Sequence, residues 1–216
     1  MLRNHFKEII LTTLAPYVDD PKFVINTVEY LYQAPHRKYH TMSHINYCLG
    51  QLQLDNHWDV EDMFLALLFH DVTDTIEGSK NLFRTLVPTH PKIKQIEYLI
   101  DATDHSKEPI VWPQFDYATR QVEYQLQASA ATVRDIDLAI LGEEAHIYNK
   151  YEEKIWDEYS FVPRRTFYFK RMEILNRFLA LPKIYGTDYF HKYEAQARIN
   201  LTKAIKKLLR EASELI

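Results

Sequence analysis

Apolar residues recur along this chain at helical spacing, and the alternation of a strand is nearly absent. The first stretch, Asn4–Leu14, stops near Pro16. A second follows Asp19-Asp20-Pro21, an acidic lead-in with proline in the first turn, and ends near Pro35. A third begins between Thr41 and Ser43. Its residues Ile45, Cys48, Leu49 and Leu52 form the i, i+3, i+4, i+7 stripe of an amphipathic helix. A fourth, over about 60–74, is apolar on every side in its middle, as a helix at the centre of a bundle must be. Further helices are predicted over roughly 79–86, 91–103, 117–127, 132–141, 143–159, 163–179 and 188–215. The one strand-like scrap, Pro109-Ile110-Val111-Trp112-Pro113, is bracketed by prolines. The expected fold is all-α: a single helical bundle domain over residues 1–216, with its core at about 30–145 and C-terminal helices at 143–216 packing on it.

Composition sharpens this picture by exclusion. With 216 residues, 46% of them hydrophobic, the chain can bury a self-supporting core and is not of disordered type. Only 4 glycines argue against a β-sandwich and against a glycine-rich dinucleotide loop. A net charge of −4 gives no support to nucleic acid as a partner or to adsorption on a membrane. Lys203, Lys206, Lys207 and Arg210 then read as the solvated face of the last helix. The longest uncharged apolar run, Met63 to Phe69, falls far short of the ~20 residues a membrane span needs. The N-terminal stretch carries Arg3, Lys7 and Glu8 and reads as a helix, not a leader. Cys48 is the only cysteine, so no intrachain disulfide forms. A soluble cytoplasmic protein is the expectation.

Candidate chemistry lies in histidines and aspartates on or beside apolar helical faces. His70-Asp71 follows the apolar run directly, where an imidazole and a carboxylate are costly to bury unless a cation answers them. His40 and His44 stand four apart, so helical geometry puts both on one side. Asp101 and His105 repeat that relation. Asp137 sits among Ile136, Leu138, Ile140 and Leu141, and Asp135 is two residues earlier. Each signal has an ordinary explanation by itself: a wet helix end, a surface pair, a capping histidine, or a carboxylate paired with Arg134. Their joint occurrence, His then His-Asp then Asp, is what points to a metal site.

That ordered set resembles the HD-domain superfamily of metal-dependent phosphohydrolases. The likeness extends to Arg37-Lys38-Tyr39-His40-Thr41-Met42-Ser43-His44-Ile45, to Phe69-His70-Asp71, to Asp135-Ile136-Asp137-Leu138-Ala139-Ile140-Leu141-Gly142 and to Glu194-Ala195-Gln196-Ala197-Arg198-Ile199-Asn200. These stretches are similar to an uncharacterised bacterial branch called predicted metal-dependent HD-superfamily phosphohydrolases, and they span about residues 30–201. The resemblance implies a helical bundle of the HD type, with His44, His70, Asp71 and Asp137 as metal ligands. His40 and His105 would serve a second metal or contact phosphate. The stretch His70-Asp71-Val72-Thr73-Asp74-Thr75 also resembles the HD-x-x-ED signature of guanosine tetraphosphate hydrolases; Asp74 stands at its Glu, and Thr75 replaces its Asp.

The function this implies is hydrolysis of a phosphoester, most naturally a nucleotide, by water activated on a divalent metal. Mixed His and Asp ligands suit Mn, Fe, Co, Ni, Zn or Mg without choosing among them. Asp74 or Glu77 is expected to act as base or to orient water, alongside His40 and His105. Arg37 and Lys80 are expected to contact the phosphate, Lys80 at a helix N-terminus if Ser79 begins that helix. A dimer is compatible with all of this. Two other classes fit the same residues: a nucleotide-binding module with little turnover, and a helical interaction protein that holds no metal.

Overall fold

A computed structural model of the chain describes residues 1–52, 59–107 and 121–214. The fold is all-α, with ten α-helices and two short 3-10 turns among the described residues and no strand. The proline-bracketed scrap at 109–113 and the start of the helix expected at 117 lie outside those residues. The chain divides into two compact units, Met1–Asp137 and Leu138–Ile216. Among the described residues no helix is long and apolar enough to cross a membrane.

The first unit is arranged around one helix. It contains α1 (Asn4–Leu14), α2 (Pro21–Leu31), α3 (Met42–Gln51), α4 (Val60–Phe69), α5 (Ile76–Leu86), α6 (Ile93–Asp101) and nearly all of α7 (Gln121–Leu138). Helix α4 packs against α1, α3, α5 and α6. Its residues Met63 to Phe69 are all buried, and each large apolar side chain so placed contributes about 1.5–3 kcal/mol. Around it α1 turns in Phe6, Ile10 and Leu14, α3 turns in Ile45, Cys48 and Leu49, and Phe83 of α5 meets Phe69 edge-on at 5.1 Å. Two buried polar side chains tie the N-terminus to this core. Glu29 accepts from the N–H of Leu2 at 2.6 Å and pairs with Lys7 at 2.9 Å, while Asn46 accepts from the N–H of Arg3 at 2.8 Å.

Helix boundaries differ from the sequence expectation in instructive ways. Helix α4 stops at Phe69, and residues 70–75 form turns instead of further helix. Helix α5 starts at Ile76, capped by Thr75, whose hydroxyl accepts the N–H of Gly78 at 3.1 Å. Ser79 is therefore inside the first turn, where its hydroxyl accepts from the N–H of Thr73 at 3.2 Å. The break expected between 127 and 132 is absent, because Ala128, Ala130 and Ala131 favour helix and no Gly or Pro interrupts them.

The second unit holds a 3-10 turn (Ala139–Gly142), α8 (Ala145–Glu158), α9 (Arg164–Ala180), a second 3-10 turn (Asp188–Phe190) and α10 (His191–Ser213). Helix α10 packs on α9 and on the first turn. The Glu194–Asn200 stretch is a clamp within this unit. Glu194 accepts from the N–H groups of Ile184 at 3.0 Å and Tyr185 at 3.3 Å. Arg198 donates to the carbonyls of Leu179 at 3.1 Å and Leu181 at 2.7 Å, and Asn200 to those of Leu141 at 2.9 Å and Glu143 at 2.8 Å. A Cβ on Gly142 would lie 2.8 Å from the carbonyl oxygen of Tyr193, so only glycine allows α10 this close.

Candidate metal centre

Three helices of the first unit deliver four side chains to one point. Thr41 caps α3 by accepting the N–H of Ser43 at 3.3 Å, which starts the helix just before His44. His70 is the residue at which α4 ends, and Asp71 follows it into the turn. Asp137 comes from the last turn of α7. One ligand atom from each of His44, His70, Asp71 and Asp137 lies within 4.8 Å of all the others.

The separations test whether a cation fits. His44 Nε2 is 3.2 Å from His70 Nε2, 3.1 Å from Asp137 Oδ1 and 3.5 Å from Asp71 Oδ2. His70 Nε2 is 2.9 Å from Asp71 Oδ2 and 3.5 Å from Asp137 Oδ1. With bonds of about 2.1 Å, adjacent ligand atoms stand about 3.4 Å apart around a tetrahedral ion and about 3.0 Å apart around an octahedral one. All five separations lie within about 0.1 Å of that range, so the residues fit a divalent metal. His70 Nδ1 donates to the carbonyl of Leu67 at 2.9 Å, which leaves the lone pair on Nε2 facing the cluster. Behind His44, the buried Cys48 Sγ lies 3.6 Å from Nε2.

Electrostatics at the cluster are those of carboxylates kept ionised. Burial pushes Asp71 up, but the imidazoles of His70 and His40 more than reverse this, and the carboxyl sits well below its usual range. Asp137 behaves likewise: burial raises it, and His70, His105 and His44 bring it far down. Burial would lower His70, yet Asp71 and Asp137 hold it well above an ordinary histidine. His44 is lowered, because burial outweighs Asp137 there. A proton on His70 and a divalent cation answer the same two carboxylates, so they compete.

Two further imidazoles reach the cluster where it is less enclosed. His105 Nε2 is 2.8 Å from Asp137 Oδ2, the oxygen other than the one near His44 and His70. His40 Nε2 is 4.0 Å from Asp71 Oδ2. Their side chains are 24% and 28% exposed, against 1% for His44 and His70. Of the two neighbouring aspartates, Asp137 joins the cluster. Asp135 is fully buried with its carboxylate 3.8 Å from Arg134 Nη1.

The other sequence candidates are engaged elsewhere. Arg37 donates to main-chain carbonyls and to Asp74. Lys80 is tied to Asp101 at 3.0 Å and Glu77 at 3.0 Å. Glu77 pairs also with Arg84, and bonds from Lys80 and Arg84 hold its carboxyl below the usual range. Asp74 meets Arg37 at 3.1 Å and His36 at 3.5 Å. Sequence reasoning missed the Leu67 carbonyl behind His70 and the Tyr32 hydroxyl, which donates to the Leu68 carbonyl at 3.0 Å. A main-chain acceptor has no residue type to announce it, and Tyr32, just past the end of α2, reads as one more aromatic core residue.

Comparison with known protein families, with curated proteins and with solved structures gives no match. The all-helical fold and the His, His, Asp, Asp cluster are compatible with a metal site of the HD type and with a metal-dependent hydrolase.

Proposed function

We propose that the protein is a metal-dependent phosphohydrolase that acts on a phosphoester, with a nucleotide as the substrate class. The observation that carries this reading is the convergence of His44, His70, Asp71 and Asp137 with two more exposed imidazoles beside them. A divalent metal bound by those four would lower the pKa of water and polarise a phosphoryl oxygen. The chain's own residues do the rest. His40 and His105 lie beside the ligand carboxylates, and His40 supplies an N–H donor for the phosphate. His105 holds Asp137 in orientation through its bond to Oδ2. Asp74, three residues after Asp71, is retained as the base because it stands nearer in the chain to the ligand doublet than Glu77 does. Lys80 and the two terminal nitrogens of Arg37 are engaged by protein groups, and this reading assigns them no phosphate contact.

The test is a hydrolysis screen over nucleotides and simpler phosphomonoesters with Mn, Fe, Co, Ni, Zn and Mg in turn, beside the Asp71→Ala variant. Metal-dependent phosphate release by wild type alone is the expected result. Nucleotide binding without release would make the protein a binding module instead.

A further inference from the structure

We infer that Arg37 is a positioning residue of the metal centre, fixing the His70-Asp71 doublet and the His40 loop by a three-way contact of its buried guanidinium. The inference rests on the metal-site reading above. The Arg37 side chain is only 6% exposed, and burying a guanidinium is costly unless its donors are answered. Nη1 donates to the carbonyl of Asp71 at 2.6 Å and to that of His40 at 3.1 Å. Nη2 reaches Asp74 Oδ1 at 3.1 Å. One planar group thus links the segment before α3 to the turn after α4.

The place of these contacts explains their use. Helix α4 ends at Phe69, so the carbonyls of its last turn and the turn beyond lack helical partners and carry the negative end of the dipole. Tyr32 answers one, at Leu68, and Arg37 answers another, at Asp71. The guanidinium carbon stands 5.4 Å from the centre of the Tyr32 ring, so the two caps brace each other. The Asp71 carbonyl that Arg37 holds belongs to the residue whose carboxylate faces His70 and His44, so freeing it frees the ligand. A lysine offers one point charge and cannot span two carbonyls and a carboxylate from a single plane. Arg37 therefore acts through Asp71 and His40 and does not touch the ligand atoms itself.

Cobalt(II) titration of the metal-free protein, read by visible absorption, tests this. Arg37→Met should weaken cobalt binding by about 10-fold or more, in the range for partners that orient metal ligands, and should change the absorption bands. Arg37→Lys should recover part of the affinity. Leu14→Ala, a core truncation in α1, should lower thermal stability and leave affinity and bands as in wild type. Wild-type affinity and bands in folded Arg37→Met would overturn the inference. If Arg37→Met does not fold, Arg37→Lys and Asp74→Ala carry the test, and wild-type behaviour in both overturns it. A loss of turnover with cobalt binding unchanged would also overturn it and return Arg37 to the substrate. Absence of cobalt binding by wild type would instead overturn the metal-site reading, and this inference with it.

Discussion

Adding a divalent metal to the metal-free protein should raise the stability of the unit that contains the cluster. The two histidine nitrogens already stand 2.9 to 3.5 Å from each other and from the two carboxylate oxygens, and all four ligand atoms lie within 4.8 Å, so little rearrangement is needed and binding energy goes to the folded state. The unfolded chain has no such site, because His44 and Asp137 are then far apart along a flexible chain. Metal at a hundred times its dissociation constant contributes about 2.7 kcal/mol. For a chain of this size that corresponds to roughly 5–11 °C in Tm if it melts as one. Scanning calorimetry with and without manganese reads this directly. Should the two units melt separately, the transition of Met1–Asp137 should move and that of Leu138–Ile216 should stay. Asp137→Ala should remove the shift. An unchanged wild-type Tm at millimolar manganese, cobalt and zinc would refute the reasoning, as would an equal shift in Asp137→Ala.

Three further outcomes are expected. Gly142→Ala should destabilise the second unit by about 3 kcal/mol, the upper end for overpacking, because the new Cβ meets the main chain of Tyr193; urea unfolding would show it, and a change under 0.5 kcal/mol would contradict it. His90 is held below an ordinary histidine by burial, partly offset by Asp62, and its Nδ1 accepts the N–H of Lys92 at 3.2 Å. Its neutral form thus favours the folded state: the contribution is present above about pH 6.5 and is lost as pH falls through the lowered folded value. His90→Asn, which keeps an acceptor but does not titrate, should lose less stability than wild type between pH 7.5 and 5.5, and equal losses would exclude the effect. On a verified substrate, His40→Ala and His105→Ala should each lower kcat by about 10-fold or more, and full activity in either would remove that residue from the site.

The parts of this protein legible in its sequence are those where local pattern and burial agree. Helix α1 and the apolar run Met63–Phe69 of α4 follow from pattern alone, and Asp137 is distinguishable from Asp135 by family likeness but not by local pattern, since both sit among apolar residues. What resisted reading was the use of polar groups. Arg37 and Lys80 have the chemistry of phosphate ligands, and tertiary packing also gives them main-chain and carboxylate partners that no local pattern announces. Ser79 suggests a helix cap, but Thr75 fills that place, because its hydroxyl reaches Gly78 and turn residues precede it. The Glu194–Asn200 stretch looks like part of a functional signature, and its donors and acceptors are instead taken up by main chain of its own unit.

In the reading proposed above, His44, His70, Asp71 and Asp137 hold one metal ion. Crystals of the protein grown with manganese or cobalt, and measured for anomalous scattering at the metal's absorption edge, would test it most directly. A single strong peak is expected about 2.0–2.3 Å from His44 Nε2, His70 Nε2, one oxygen of Asp71 and Oδ1 of Asp137, with no such peak in Asp71→Ala crystals. No peak among these four side chains at saturating metal, or a strong peak bound only elsewhere, would contradict it.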